Sequence, residues 1–144
     1  SEMCIRDRSH SGARVAMVID GHVYIAAVAQ SSSGDKRIVN AREVGPEVSG
    51  SALSLDWNMD GSLIVGTSSS QSPVWRIEQD GSSASTMPTG NITAPVVAVA
   101  SSPTKLFITD SHAMLELPST VMDETNWREV SGLQGRRSSP IVSN

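Results

Sequence analysis

Short apolar blocks recur along this chain at a nearly constant spacing, and that recurrence limits the fold more than any other feature. Leu63-Ile64-Val65 falls on Leu106-Phe107-Ile108 at an offset of 43 residues, and Val23-Tyr24-Ile25 falls on Leu63-Ile64-Val65 at 40. The segments ahead of them keep step, with Pro46-Glu47-Val48, Pro95-Val96-Val97 and Pro140-Ile141-Val142 lying 49 and 45 residues apart. A period of roughly 40 to 50 residues with about four strands per unit is the pattern of a β-propeller blade. Each such unit hides its apolar faces only against its neighbours.

Within the units the blocks read as strands. Val15 to Ile19 is an apolar run, Asp20-Gly21 offers the left-handed backbone of a two-residue type I′ turn, and His22 to Val28 follows, so a hairpin is expected. The pattern returns with Leu53 to Trp57, a turn over 58–61, Leu63 to Val65, Val74 to Ile77, a second Asp-Gly at Asp80-Gly81, and 83–87. It returns again with 96–100, 106–108, 114–117 and 127–130, and no stretch sustains a helical period. The expected fold is therefore all-β, a partial β-propeller of about three four-stranded blades over 11–44, 46–87 and 95–130, within a fragment running from 9 to 144. Ile141-Val142 is expected to begin the next innermost strand, which in a closed ring ties the last blade to the first. Propellers hold about four to eight blades, so three form an incomplete ring with bare end faces, and such an arc is expected to be unstable alone. A small antiparallel sandwich of about 8 to 10 strands is the alternative at this length; the repeat register favours the propeller.

Charge narrows the partners. The net charge is -4, and a chain without a basic field has no means to grip a phosphate backbone, so nucleic acid is not expected as a partner. Arg136-Arg137 is read as a solvated turn. No apolar run approaches the roughly 20 residues that cross a bilayer, and no basic-then-apolar leader pattern opens the sequence.

The first eight residues, Ser-Glu-Met-Cys-Ile-Arg-Asp-Arg, share nothing with the repeats. Back-translated, all eight codons can be written as the end of a transposase adapter used to prepare sequencing libraries. Residues 1–8 are therefore read as an artefact, with natural sequence beginning near Ser9 and broken on its N-terminal side. Cys4, the only cysteine, then carries no function; it has no partner for a disulfide and no histidine-carboxylate setting for a thiolate.

No chemistry assembles from the remaining motifs. His22 follows Asp20-Gly21, expected to join the first and second strands of its blade, whereas His112 follows Asp110-Ser111, expected to join the second and third. They are placed at different corners, and zinc needs three or four converging ligands. Asp56-Trp57 reverses the order of tryptophan-aspartate repeats and lacks a preceding Gly-His; it reads as a core tryptophan beside a carboxylate that caps a turn. Ser49-Gly50-Ser51 and Ser68-Ser69-Ser70 read as loops, without the elbow of a serine hydrolase. Asn91-Ile92-Thr93 fits a glycosylation acceptor too short to act upon, and Asp123-Glu124 reads as a solvated acidic loop. No catalytic, cofactor-binding or metal-binding residue is expected, no cofactor is implied, and no partner-binding residue is singled out.

The order of the motifs carries a resemblance. Leu55-Asp56-Trp57, Asp60-Gly61-Ser62-Leu63, Val74-Trp75-Arg76, Asp80-Gly81, and Trp127-Arg128-Glu129-Val130-Ser131-Gly132-Leu133 with Pro140-Ile141-Val142 resemble the C-terminal propeller region of the actinobacterial LpqB lipoproteins, over roughly 13–144. The resemblance implies an envelope lipoprotein, lipid-anchored outside the plasma membrane, whose propeller follows a middle domain related to spore-germination proteins. It also implies a non-catalytic interaction module that modulates a two-component system through the extracytoplasmic domain of the sensor histidine kinase MtrB. Membrane contact would come only through the anchor; Cys4 does not match a lipobox, because no apolar run precedes it. The alternative is a piece of a propeller enzyme, of lactonase or hydrolase type, with its catalytic residues in other blades.

Overall fold

The computed structural model describes residues 4–9, 12–46, 48–87, 92–117 and 127–130. Among these the chain forms twelve strands and no helix, arranged as three four-stranded antiparallel sheets. The first sheet holds β1 (Cys4–Arg8), β2 (Arg14–Ile19), β3 (His22–Gln30) and β4 (Lys36–Val44). The second holds β5 (Ala52–Trp57), β6 (Leu63–Thr67), β7 (Val74–Ile77) and β8 (Ala84–Thr86). The third holds β9 (Ala98–Ser101), β10 (Leu106–Thr109), β11 (Met114–Leu117) and β12 (Arg128–Glu129). Strands follow one another in each sheet in chain order, and the first strands, β1, β5 and β9, run side by side from sheet to sheet. This is the blade arrangement of a propeller, present as an arc of three.

Alternation along the strands explains why the sheets stack. Leu63 and Val65 of β6 point into a core shared with Ala16, Val18 and Ile25 of the first sheet, while Ile64 between them points into a core shared with Leu106, Ile108 and Leu115 of the third. All five residues of β6 are buried, because the middle sheet is covered on both faces. Trp57 and Trp75 fill the first seam, and Trp127 caps the second. The turn at Asp20-Gly21 forms as expected, with φ of 54° and 81° at its two central residues.

Three expectations need correction. The first sheet begins at Cys4, not at Ser11, since β1 pairs along β2 from Cys4 opposite Ile19 to Arg8 opposite Val15. An edge strand held through its backbone needs only an extended chain, so the lack of apolar alternation in Cys-Ile-Arg-Asp-Arg hides it. With β1 counted, Val23 to Ile25 lie on the third strand of their sheet whereas Leu63 to Val65 lie on the second, so the offset of 40 pairs strands that are not equivalent. The offset of 43 between Leu63 and Leu106 does join equivalent strands, β6 and β10. The two histidine turns also change place: Asp20-Gly21 joins β2 to β3 and Asp110-Ser111 joins β10 to β11, the same corner of the first and third sheets. The proposed closing strand at Ile141-Val142, with Asn91, Asp123-Glu124 and Arg136-Arg137, lies outside the described residues.

Candidate functional site

The connections gather at two ends of the arc, and the two ends are built differently. At the end that carries the second-to-third-strand turns, backbone bonds lace neighbouring sheets together. Ala52 N donates to Gly21 O at 2.9 Å and Val96 N to Thr67 O at 3.0 Å, each tying the approach to one sheet to the turn of the sheet before. Ser68 N donates to Ser51 O at 3.0 Å and Ser111 N to Thr93 O at 3.1 Å, repeating a second tie in the second and third sheets. The two serine runs meet here: Ser49 Oγ donates to Ser69 Oγ at 3.1 Å and Ser51 N to Ser68 Oγ at 3.0 Å. They are loops, as expected, but loops that hold each other.

Asp110 is the polar centre of this end in the third sheet. Its carboxylate accepts from the amides of Thr93 at 2.9 Å, His112 at 2.8 Å and Ala113 at 2.9 Å, and the residue is buried. Burial alone would raise its pKa, yet these three amides together with nearby His112 outweigh that and hold the carboxyl below its ordinary value. Every oxygen is spent on backbone, so the group is a structural clamp. His22, at the corresponding corner of the first sheet, is exposed and pairs with Glu43 at 2.8 Å. The middle sheet lies between the two histidines, and among the described residues no three His, Cys, Asp or Glu side chains converge as a metal would require.

The opposite end is open and charged. Asp60-Gly61-Ser62 and Asp80-Gly81-Ser82 form two like turns of the middle sheet, each aspartate accepting from the serine two residues on, at 2.9 Å. Asp60 also meets Arg76 at 2.8 Å, and Arg76 pairs with Glu78. Burial would raise the Asp60 pKa, but the Ser62 hydroxyl and amide and the Arg76 guanidinium bring it below the ordinary value. Next to this acidic rim, Arg14 of the first sheet donates to Gln79 O and lies 5.0 Å over the Trp57 ring. Arg42 donates to Asp80 O at 2.6 Å. Ser9, Arg14, Trp57, Met59, Asp60 and Gln79 line a cleft of about 270 Å³ between the two sheets. That is smaller than the pockets of about 300 to 1,000 Å³ that enclose small molecules.

An arm stands beside the cleft. β3 and β4 are nine residues each, whereas their counterparts have four and three in the second sheet and four and two in the third. β2 pairs with β3 only as far as Ala27, so the residues beyond it, Val28 to Gln30 paired with Lys36 to Ile38, project past the rest of the sheet. A register shift between Ile25 and Ala27, with Asn40 at φ 57°, forms a bulge at the base of the arm and turns it. Ile38 is 43% exposed on this arm.

Sequence reasoning missed this surface. It had no strand at Lys36–Val44, because Lys-Arg-Ile-Val-Asn-Ala-Arg-Glu-Val alternates poorly and carries a bulge. The β-branched pair Ile38-Val39 among charges was the available signal. It also missed that Asp56 reaches the third sheet: besides capping Trp57 N at 2.9 Å, the carboxylate accepts from Ser101 N at 2.7 Å.

The family model described as the lipoprotein LpqB beta-propeller domain matches residues 8–143 of this chain. A lipoprotein LpqB of Corynebacterium diphtheriae is 48% identical over 134 residues, 93% of this chain and 23% of that protein. One from Corynebacterium jeikeium is 39% identical over 94% of this chain, and one from Rhodococcus jostii 38% over 93%, each again covered over 23% of its own length. The chain thus spans about a quarter of the curated relatives it matches.

Proposed function

The chain belongs to the LpqB lipoprotein β-propeller family, and from that premise we propose that it is a non-catalytic interaction module of an envelope lipoprotein. The relatives are named as lipoproteins, not as enzymes, and a lipoprotein is associated with the cell envelope. The finer reading is a propeller outside the plasma membrane, anchored by a lipid on another part of the longer protein, that modulates a two-component system by contact with the sensor domain of an MtrB-like histidine kinase. Residues 1–8 are, in the same reading, translated adapter; all but the last fall outside the family match, and β1 then fills the place of a native innermost strand.

The observation that supports an interaction role is the contrast of the two ends: one laced shut by backbone bonds, the other open, charged and carrying an arm. Rigid sheets presenting loops and an edge are a scaffold for recognition. The test is retention of the kinase's extracytoplasmic domain by the whole folded lipoprotein in a pull-down. Retention supports the reading, and none with correctly folded protein refutes it.

A further inference from the structure

Charge is unevenly shared among the sheets. The described side chains of the first sheet and its turns include Arg8, Arg14, Lys36, Arg37 and Arg42 against Asp20, Asp35 and Glu43, whereas the second has Arg76 against Asp56, Asp60, Glu78 and Asp80. The whole chain is acidic, so the first sheet is a basic island. Among the described residues its cations are unevenly engaged, and Arg8 donates to Gly12 O. Lys36 and Arg37 are exposed and take no carboxylate, while Arg14 and Arg42 donate to backbone carbonyls. Lys36, Arg37 and Arg42 lie on β4, the terminal strand of its sheet.

We propose that the projecting edge of β4, from Lys36 to about Asn40, is a docking site for an extended acidic peptide segment of a partner protein. The segment adds as a fifth strand, and because Lys36 and Arg37 project to opposite faces of β4, two consecutive carboxylates of the segment meet them. An outer strand offers a row of unpaired N–H and C=O groups, and main-chain pairing gives affinity while side chains give selectivity. Exposed Ile38, on the same face of the strand as Lys36, supplies an apolar contact beside the charges. The basic residues and the bulge decide the class of occupant. They discourage a second copy of this strand, since two β4 edges would set Lys36 and Arg37 against like charge, but they favour an acidic strand. A lipid headgroup could use the charge, but not the strand edge.

This inference deepens the interaction reading and rests on it for biological meaning, though its test does not need the kinase. Two fluorescent extended nonapeptides, one carrying Glu-Glu pairs between valines and one carrying Lys-Lys pairs between valines, are titrated into the whole protein. A third copy of the acidic peptide carries N-methyl groups on alternate amides, which keeps charge and removes backbone donors. The expected result is binding of the acidic peptide alone, weakened about tenfold or more by Lys36→Glu with Arg37→Glu and by N-methylation. The same melting curve for the variant shows that the fold survives the exchange of two exposed side chains. Equal binding of the N-methylated peptide or by the charge-reversed variant would overturn the proposal. So would anionic vesicles bound through Lys36 and Arg37 more tightly than the peptide, or self-association that the reversal abolishes. If the peptide binds and the kinase domain does not, the interaction reading fails by itself; if the reverse holds, the site at β4 fails by itself.

Discussion

The seam between the first and second sheets and the seam between the second and third are closed by different chemistry. The first is a broad apolar surface, with Trp57 and Trp75 against Val18, Val23 and Ile25, and its polar ties sit at the rim, where Arg14 and Arg42 reach backbone carbonyls. The second has an apolar core of its own, but side-chain bonds thread it: Ser54 Oγ to Val96 O at 3.1 Å, Ser101 N to Asp56 at 2.7 Å, and Ser101 Oγ to Asn58 at 3.0 Å. Apolar contact is non-directional and supplies adhesion. Directional bonds whose donors are buried fix one register, because any slip leaves a desolvated group unpaired. The first seam is adhesive and the second is indexed.

Substitutions can separate the two. The largest expected effect is Trp57→Ala, which empties the first seam of a side chain only 1% exposed and should cost about 3 to 5 kcal/mol in urea denaturation. Amide exchange should then rise in β2 and β3 more than in β10 and β11. Gly66→Ala attacks the second seam. A Cβ there would stand 2.5 Å from Ser54 Oγ and from Val96 Cγ1 and 2.8 Å from Val96 O, and this overpacking should cost about 1 to 3 kcal/mol. The reverse exchange pattern, with β10 and β11 loosened first, is the outcome that sustains the contrast.

Asp110→Ala should come next, at about 1 to 3 kcal/mol for one buried and two part-buried amides left without their acceptor. The same residue makes this corner of the third sheet acid-sensitive. Its folded pKa lies below the ordinary 3.8, so its contribution is whole above that value and is lost as pH falls through the lowered one. Acid titration followed by exchange should therefore release Thr93 and Ala113 amides in wild-type protein, with no such step in the variant. Arg14→Ala should have the smallest effect, about 0.5 to 1 kcal/mol for a part-exposed cation over an aromatic ring. A double variant with Trp57→Ala should lose less than the sum, and full additivity would show that the stacking contributes nothing.

Local signals carried most of the fold. The Asp20-Gly21 turn, the strand runs of the middle sheet and the Leu63 to Leu106 register were legible, because left-handed turn residues and alternation are written in adjacent positions. The strand at Cys4–Arg8 was not, since a backbone-paired edge imposes no side-chain pattern, and its omission shifted the strand count of the first sheet by one. The ties that index the second seam were equally hidden. Asp56 and Ser101 stand 45 residues apart, and nothing in either neighbourhood marks a carboxylate as reaching across a seam and not merely closing its own turn. The basic edge of β4 was visible only as composition until strand lengths could be compared.

The buried strand Leu63–Thr67 sets how this molecule comes apart. Ile64 belongs to one core and Val65 to the other, so a step of a single peptide bond crosses from one cooperative unit to the next. Opening either flank exposes only one side of this strand, and its amides can exchange with solvent only after both flanks have let go. The middle of the arc is therefore its clock: the protection of Ile64 and Val65 amides reads the joint lifetime of the two seams, a quantity that neither flank reports alone.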